Sequence, residues 1–107
     1  THAVIFENRR HEIVGFQTEG HAGYADAGSD IVCAAISVLV INTINSVEQF
    51  TDSDCTVTQD EENAGIYFGE FFKESKELQV LLQSLVLGLS GVAEGNTDYL
   101  SITFKEV

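Results

Sequence analysis

Apolar and polar positions along the chain change period several times, and each change marks an element. Residues 3–6 are an apolar run, Asn8, Arg9, Arg10 and His11 read as a turn, and residues 13–18 are rich in β-formers, which together predict a hairpin. Residues 20–30 carry Gly20, Gly23 and Gly28 among polar side chains and predict a long loop. From residue 31 to 50 the apolar positions Cys33, Ile36, Val40, Ile44 and Val47 recur at three and four residues, with Asn42, Asn45, Ser46 and Glu48 opposite. That spacing predicts a buried helix, with Ser29 or Asp30 as its N-cap. Residues 55–58 and 65–72 alternate around Asp60, Glu61, Glu62 and Asn63, predicting a second hairpin. Leu78, Leu81, Leu82, Leu85, Leu89 and Val92 then form a second helical stripe ended by Gly95 and Asn96, and residues 99–104 close the chain as a strand. The resulting order, β-β-α-β-β-α-β, predicts an α/β (α+β) fold: one small domain over residues 1–107 with both helices packed on one sheet.

Composition narrows the function classes. The chain has 107 residues, 17 acidic against five basic, for a net charge of −12. Such a field repels phosphate backbones and offers few cations to displace counterions, so direct nucleic-acid binding is not expected and a basic partner is. The longest apolar stretch, residues 31–41, falls short of the roughly 20 residues of a membrane span, and residues 1–7 lack the basic and apolar regions of a signal peptide. A cytoplasmic location follows as the expectation, with no membrane partner. Cys33 and Cys55 are then expected to stay reduced, and their separation fits no zinc-site spacing.

Chemistry concentrates in residues 20–37. With Asp30 as cap, Cys33 would stand at the third helical position, where unpaired N–H groups and the helix dipole favour a thiolate and could hold an oxyanion. His21 lies far enough upstream for the loop to fold it over the helix start, as the base that takes the thiol proton and returns it to a leaving amine. Asp30 would orient His21 or cap the helix, and Ser37, one turn after Cys33, would share its face. Plainer readings compete: Cys33 as a packing residue, His21 as a loop residue, Ser37 bonded to its own helix. His21, Asp26 and Asp30 are also cation donors, but without the pattern of a calcium loop. No phosphate loop or dinucleotide fingerprint is present, so no cofactor and no metal are expected.

The residues Gly20-His21-Ala22-Gly23-Tyr24-Ala25 and Asp30-Ile31-Val32-Cys33-Ala34-Ala35-Ile36-Ser37 resemble the Prp family, ribosomal-processing cysteine proteases of bacteria. The likeness continues less strictly through residues 41–48. It implies a small homodimeric enzyme that removes the N-terminal extension of a large-subunit ribosomal protein. Cys33 matches the family's nucleophile and His21 its histidine, while Gly20, Asp30 and Ser37 match its supporting glycine, aspartate and serine. Asn96-Thr97 departs from the family, which has a proline in this turn. The competing class is a non-catalytic acidic module that binds a basic ribosomal segment.

Overall fold

The computed structural model describes residues 1–19, 27–60 and 66–107, with the expected order of elements: β1 (His2–Glu7), β2 (Ile13–Glu19), α1 (Ala27–Phe50), β3 (Asp54–Asp60), β4 (Ile66–Phe72), α2 (Lys76–Gly95) and β5 (Ser101–Glu106). Gly20, His21 and the predicted turn residues 61–63 lie outside the described residues. Between β1 and β2 the Asn8 side chain accepts the N–H groups of Arg10 at 2.9 Å and Glu12 at 3.0 Å. It thereby folds the turn that carries His11 at φ 62, a conformation that asparagine-organised turns tolerate.

The five strands form one mixed sheet in the order β3-β4-β2-β1-β5. Every neighbouring pair is antiparallel except β1 and β5, which run parallel. Consequently β3 runs parallel to β2, and β5 parallel to β4. Each of those pairs is joined through a helix, because parallel strands need a long crossover. Both crossovers lay their helix on the same face.

That face is the core. The register sets Ala3 opposite Thr18, Ile5 opposite Phe16 and Phe16 opposite Gly69. Against them pack Val32, Ile36, Val40 and Val47 of α1 and Leu78, Leu82, Leu85 and Leu89 of α2. The leucine stripe of α2 matches its sequence pattern. Its start is fixed by Ser75, whose hydroxyl accepts the Leu78 N–H at 3.0 Å, a cap followed by Glu77 in the first turn. At its end the backbone N–H of Asn96 bonds the Ala93 carbonyl at 3.0 Å and its side-chain amide bonds Val92 at 2.9 Å. A proline at Asn96 could supply neither, so this chain closes the helix by its own means.

Two expectations change. α1 begins at Ala27, so Asp30 is not its N-cap: its backbone is already helical. Ala27 favours helix, and Gly28 opposes it by only about 1 kcal/mol, so the helix extends into what composition marked as loop. The buried stripe is also rotated by a few tens of degrees, with Val32 and Thr43 inside and Cys33 and Ile44 half-buried at its margin.

By length and composition alone, Ile31–Phe50 and Lys76–Gly95 are each apolar enough to cross a membrane, against the expectation that no segment reaches that length. Each lays one stripe on the sheet, and most of its apolar window lies outside the buried core.

Candidate active site

Cys33 is the seventh residue of α1, half-buried at the edge of the core stripe. Its Sγ lies 3.9 Å from the hydroxyl of Thr1. Thr1 is held by both of its backbone polar groups: its nitrogen donates to the Tyr99 carbonyl at 2.7 Å, and its carbonyl accepts the Ser101 N–H at 3.1 Å. The sulfur thus sits where the second turn of α1 passes the start of β1 and the turn that enters β5.

The other expected site residues separate into three groups. Ser37 is one turn after Cys33, but its hydroxyl donates to the Cys33 carbonyl at 2.9 Å, so its proton serves the helix backbone rather than the sulfur. Asp30 has a helical backbone three residues before Cys33, a spacing that puts the two positions on one side of the helix, while its side chain lies outside what is described. Gly20 and His21 lie outside the described residues altogether, as does the side-chain trio His21, Asp26 and Asp30. Among the described residues no group of three His, Cys, Asp or Glu side chains could hold a metal ion.

The later position of Cys33 in α1 revises its electrostatics. The unpaired amides of a helix belong to its first turn, and the dipole's influence on a side chain falls off over the same distance. Those amides lie no later than Asp30, on the order of 5 Å or more along the axis from Cys33. The helix start therefore does not offer its N–H groups at Cys33 as oxyanion donors.

Thr1 was missed by sequence reasoning. A single polar residue ahead of β1 belongs to no periodic pattern, and only the passage of α1 over the start of β1 brings it to the sulfur. The structure has one more unannounced polar feature on this side: Thr18, buried at 1 % exposure, has a hydroxyl with no hydrogen-bond partner among the described residues.

Cys55, on β3, is also a free thiol. Burial pushes it above the ordinary thiol range, and the carboxylates of Glu48 and Asp54 push it further. It is a poor nucleophile at neutral pH. Limiting iodoacetamide at pH 7 is expected to label Cys33 and spare Cys55, with Cys55 gaining label only as the pH rises, as read by peptide mass spectrometry. Equal labelling of both at pH 7 would contradict the difference in environment.

The fold is a five-stranded mixed sheet with two helices on one face and a half-buried thiol on one of them, and its sequence places it in the cysteine protease class. Residues 1–101 match the sequence profile of the family described as cysteine protease Prp, and the chain belongs to that family. It is 27% identical over 107 positions, 94% of each chain, to the ribosomal processing cysteine protease Prp of Bacillus subtilis. Its fold superposes with a TM-score of 0.86 on the S. aureus ribosomal processing protease Prp in complex with a covalently linked product peptide, at 23% identity over 97% of this chain and 98% of that one. SMU.848 from Streptococcus mutans superposes with a TM-score of 0.85 at 25% identity over 99% and 94%.

Proposed function

We propose that this cysteine protease removes the N-terminal extension of a bacterial large-subunit ribosomal protein in the cytoplasm, with Cys33 as nucleophile and His21 as its base. One observation carries the pairing. Glu19, the last residue of β2, is the ladder partner of His2, and the neighbouring Thr1 touches the Cys33 sulfur. The chain therefore leaves β2 beside the thiol, and His21 follows within two residues, a reach of at most about 7 Å.

In this mechanism His21 takes the thiol proton, and the sulfur attacks the scissile carbonyl, forming an S–C bond. Collapse breaks the C–N bond as the imidazolium protonates the leaving amine. Water, deprotonated by His21, then hydrolyses the thioester and restores the thiol. Asp30 supports His21 by orientation, its role as cap being removed by the position of the helix start. Gly20 precedes the histidine, and Ser37 acts on the backbone of the nucleophile's own turn. An acidic protein suits a basic ribosomal substrate, whose encounter is accelerated by opposite charge and slowed by salt. The S. aureus protease has been solved with a substrate peptide, which supports a peptide partner for the same fold.

The experiment is incubation with an extended ribosomal precursor, the products being located by mass spectrometry. One cut near the precursor's N-terminus by the wild type, lost in His21→Ala protein that still melts cooperatively, is the expected result. An uncut precursor would refute the substrate, and an unimpaired His21→Ala protein would refute the base.

The same reading makes the enzyme a homodimer, and its surface supports this. Ile31, Val38 and Ile41 of α1 and Val80 and Leu87 of α2 are exposed by half or more. No Asp, Glu, Lys, Arg or His occurs from Ile31 to Val47 or from Leu78 to Ala93, although the chain as a whole carries −12. Two such acidic copies repel each other wherever charges meet, so an uncharged apolar face is where they can pair. Sedimentation is expected to give twice the monomer mass for the wild type and a monomer for Ile41→Asp. A wild-type monomer at tens of micromolar would overturn the assignment.

A further inference from the structure

We propose that Thr1 is a positioning residue for Cys33: its hydroxyl donates to the sulfur, fixes the sulfur's rotamer and favours thiolate over thiol. The inference rests on the reading of Cys33 as nucleophile and extends it to a residue outside the motif.

Geometry supports the role in three ways. The Thr1 hydroxyl is 3.9 Å from Sγ, and its backbone is tied to Tyr99 and Ser101 by hydrogen bonds from both sides. A β-branched side chain on so fixed a backbone has few rotamers to choose from. Its O–H is therefore held close to the sulfur instead of sweeping solvent.

Alternation along β1 then puts Thr1 on the same sheet face as Ala3. The ladder partner of Ala3 is Thr18, whose hydroxyl is buried and has no partner among the described residues. Two hydroxyls thus lie diagonally across the sheet at this end of the core, where aliphatic side chains would pack with no desolvation cost.

Few charges compete for the same effect. Between Ile31 and Val47 α1 carries no acidic or basic residue. Ahead of β1 the backbone nitrogen of Thr1 is bonded to Tyr99, and on β1 the ring of His2, on the opposite sheet face, bonds the Ser101 hydroxyl at 2.6 Å. Asp98, in the turn before β5, is exposed. Glu19, exposed at the end of β2, and His21, Asp26 and Asp30 along the chain are left intact by a change at Thr1.

The test is the rate of Cys33 alkylation by iodoacetamide as a function of pH, measured on the full chain for the wild type, Thr1→Val and Thr1→Ser. Loss of a hydrogen bond to an anion is expected to move the inflection to higher pH and to slow alkylation below it about tenfold in Thr1→Val. Thr1→Ser is expected to restore the wild-type profile. Superimposable profiles for the wild type and Thr1→Val would overturn the proposal, as would a Ser variant that behaves like Val. If Thr1→Val fails to fold, Thr1→Ala with Thr1→Ser as its rescue gives the same comparison. Alkylation needs no substrate, so the positioning role can fail or hold independently of precursor cleavage.

Discussion

Cys33→Ala is expected to abolish precursor cleavage while leaving the fold in place. Removing a nucleophile removes the covalent route entirely, and in hydrolases of this kind such losses in kcat are on the order of 10⁴-fold or more. The residual rate comes from binding and orientation alone. The structural effect is small by comparison. Cys33 stands at the margin of the core stripe, its neighbours Val32 and Ile36 remain buried at 1 % and 3 % exposure, and alanine is the better helix former. A half-buried sulfur is worth on the order of 1 kcal/mol of burial, so the variant should melt within a few degrees of the wild type. Turnover of the extended precursor and thermal unfolding, measured on the same preparation, check both halves. A folded Cys33→Ala protein that still cuts would remove Cys33 from the mechanism and require another residue as nucleophile.

The order of elements was legible in the sequence because most segments bury only one side. Leu78, Leu82, Leu85 and Leu89 recur at helical spacing with polar residues such as Gln79, Gln83 and Ser84 between them, and the structure buries those four leucines. α1 was harder to read. Ile31, Val38 and Ile41 make its outer side apolar too, so its pattern fits more than one rotation about the axis, and the stripe read from spacing came out turned toward Cys33 and Ile44. Its start was misplaced because glycine and polar residues resemble a loop, although one Gly28 inside the first turn is a small cost against the packing of a 24-residue helix.

Strand order was not legible. Periodicity describes one segment at a time, whereas β3-β4-β2-β1-β5 depends on how two crossovers interleave. The chemistry of the candidate site divides in the same way. Cys33 and Ser37 are close in sequence and lie on one helix, so spacing alone relates them. Thr1 and Tyr99 are joined only by the parallel pairing of β1 with β5, and no local pattern announces such a contact.

That sheet places its tightest demand at Gly69, and Gly69→Ala is expected to destabilise the protein more than an alanine in a strand ordinarily would. Gly69 faces Phe16 across the β2–β4 ladder. A Cβ built there would fall into the Phe16 ring, 2.9 Å from Cζ and 3.0 Å from Cδ1. The ring cannot swing freely away. Phe16 is 1 % exposed, it packs against the Phe71 ring at 6.0 Å between centroids, and the leucines of α2 belong to the same core. Overpacking of this kind costs about 1–3 kcal/mol, partly offset by the roughly 0.4–1 kcal/mol that replacing glycine gains through the unfolded chain. A net loss of about 1–2 kcal/mol should lower Tm by several degrees for a domain of this size. Shrinking the partner should relieve it: in the double variant with Phe16→Leu, Gly69→Ala should cost less than it does alone, because contacting residues couple. Thermal unfolding of the two single variants and the double variant measures that coupling. A Gly69→Ala protein with the wild-type Tm, or strict additivity with Phe16→Leu, would mean that the ring is not held where this packing puts it.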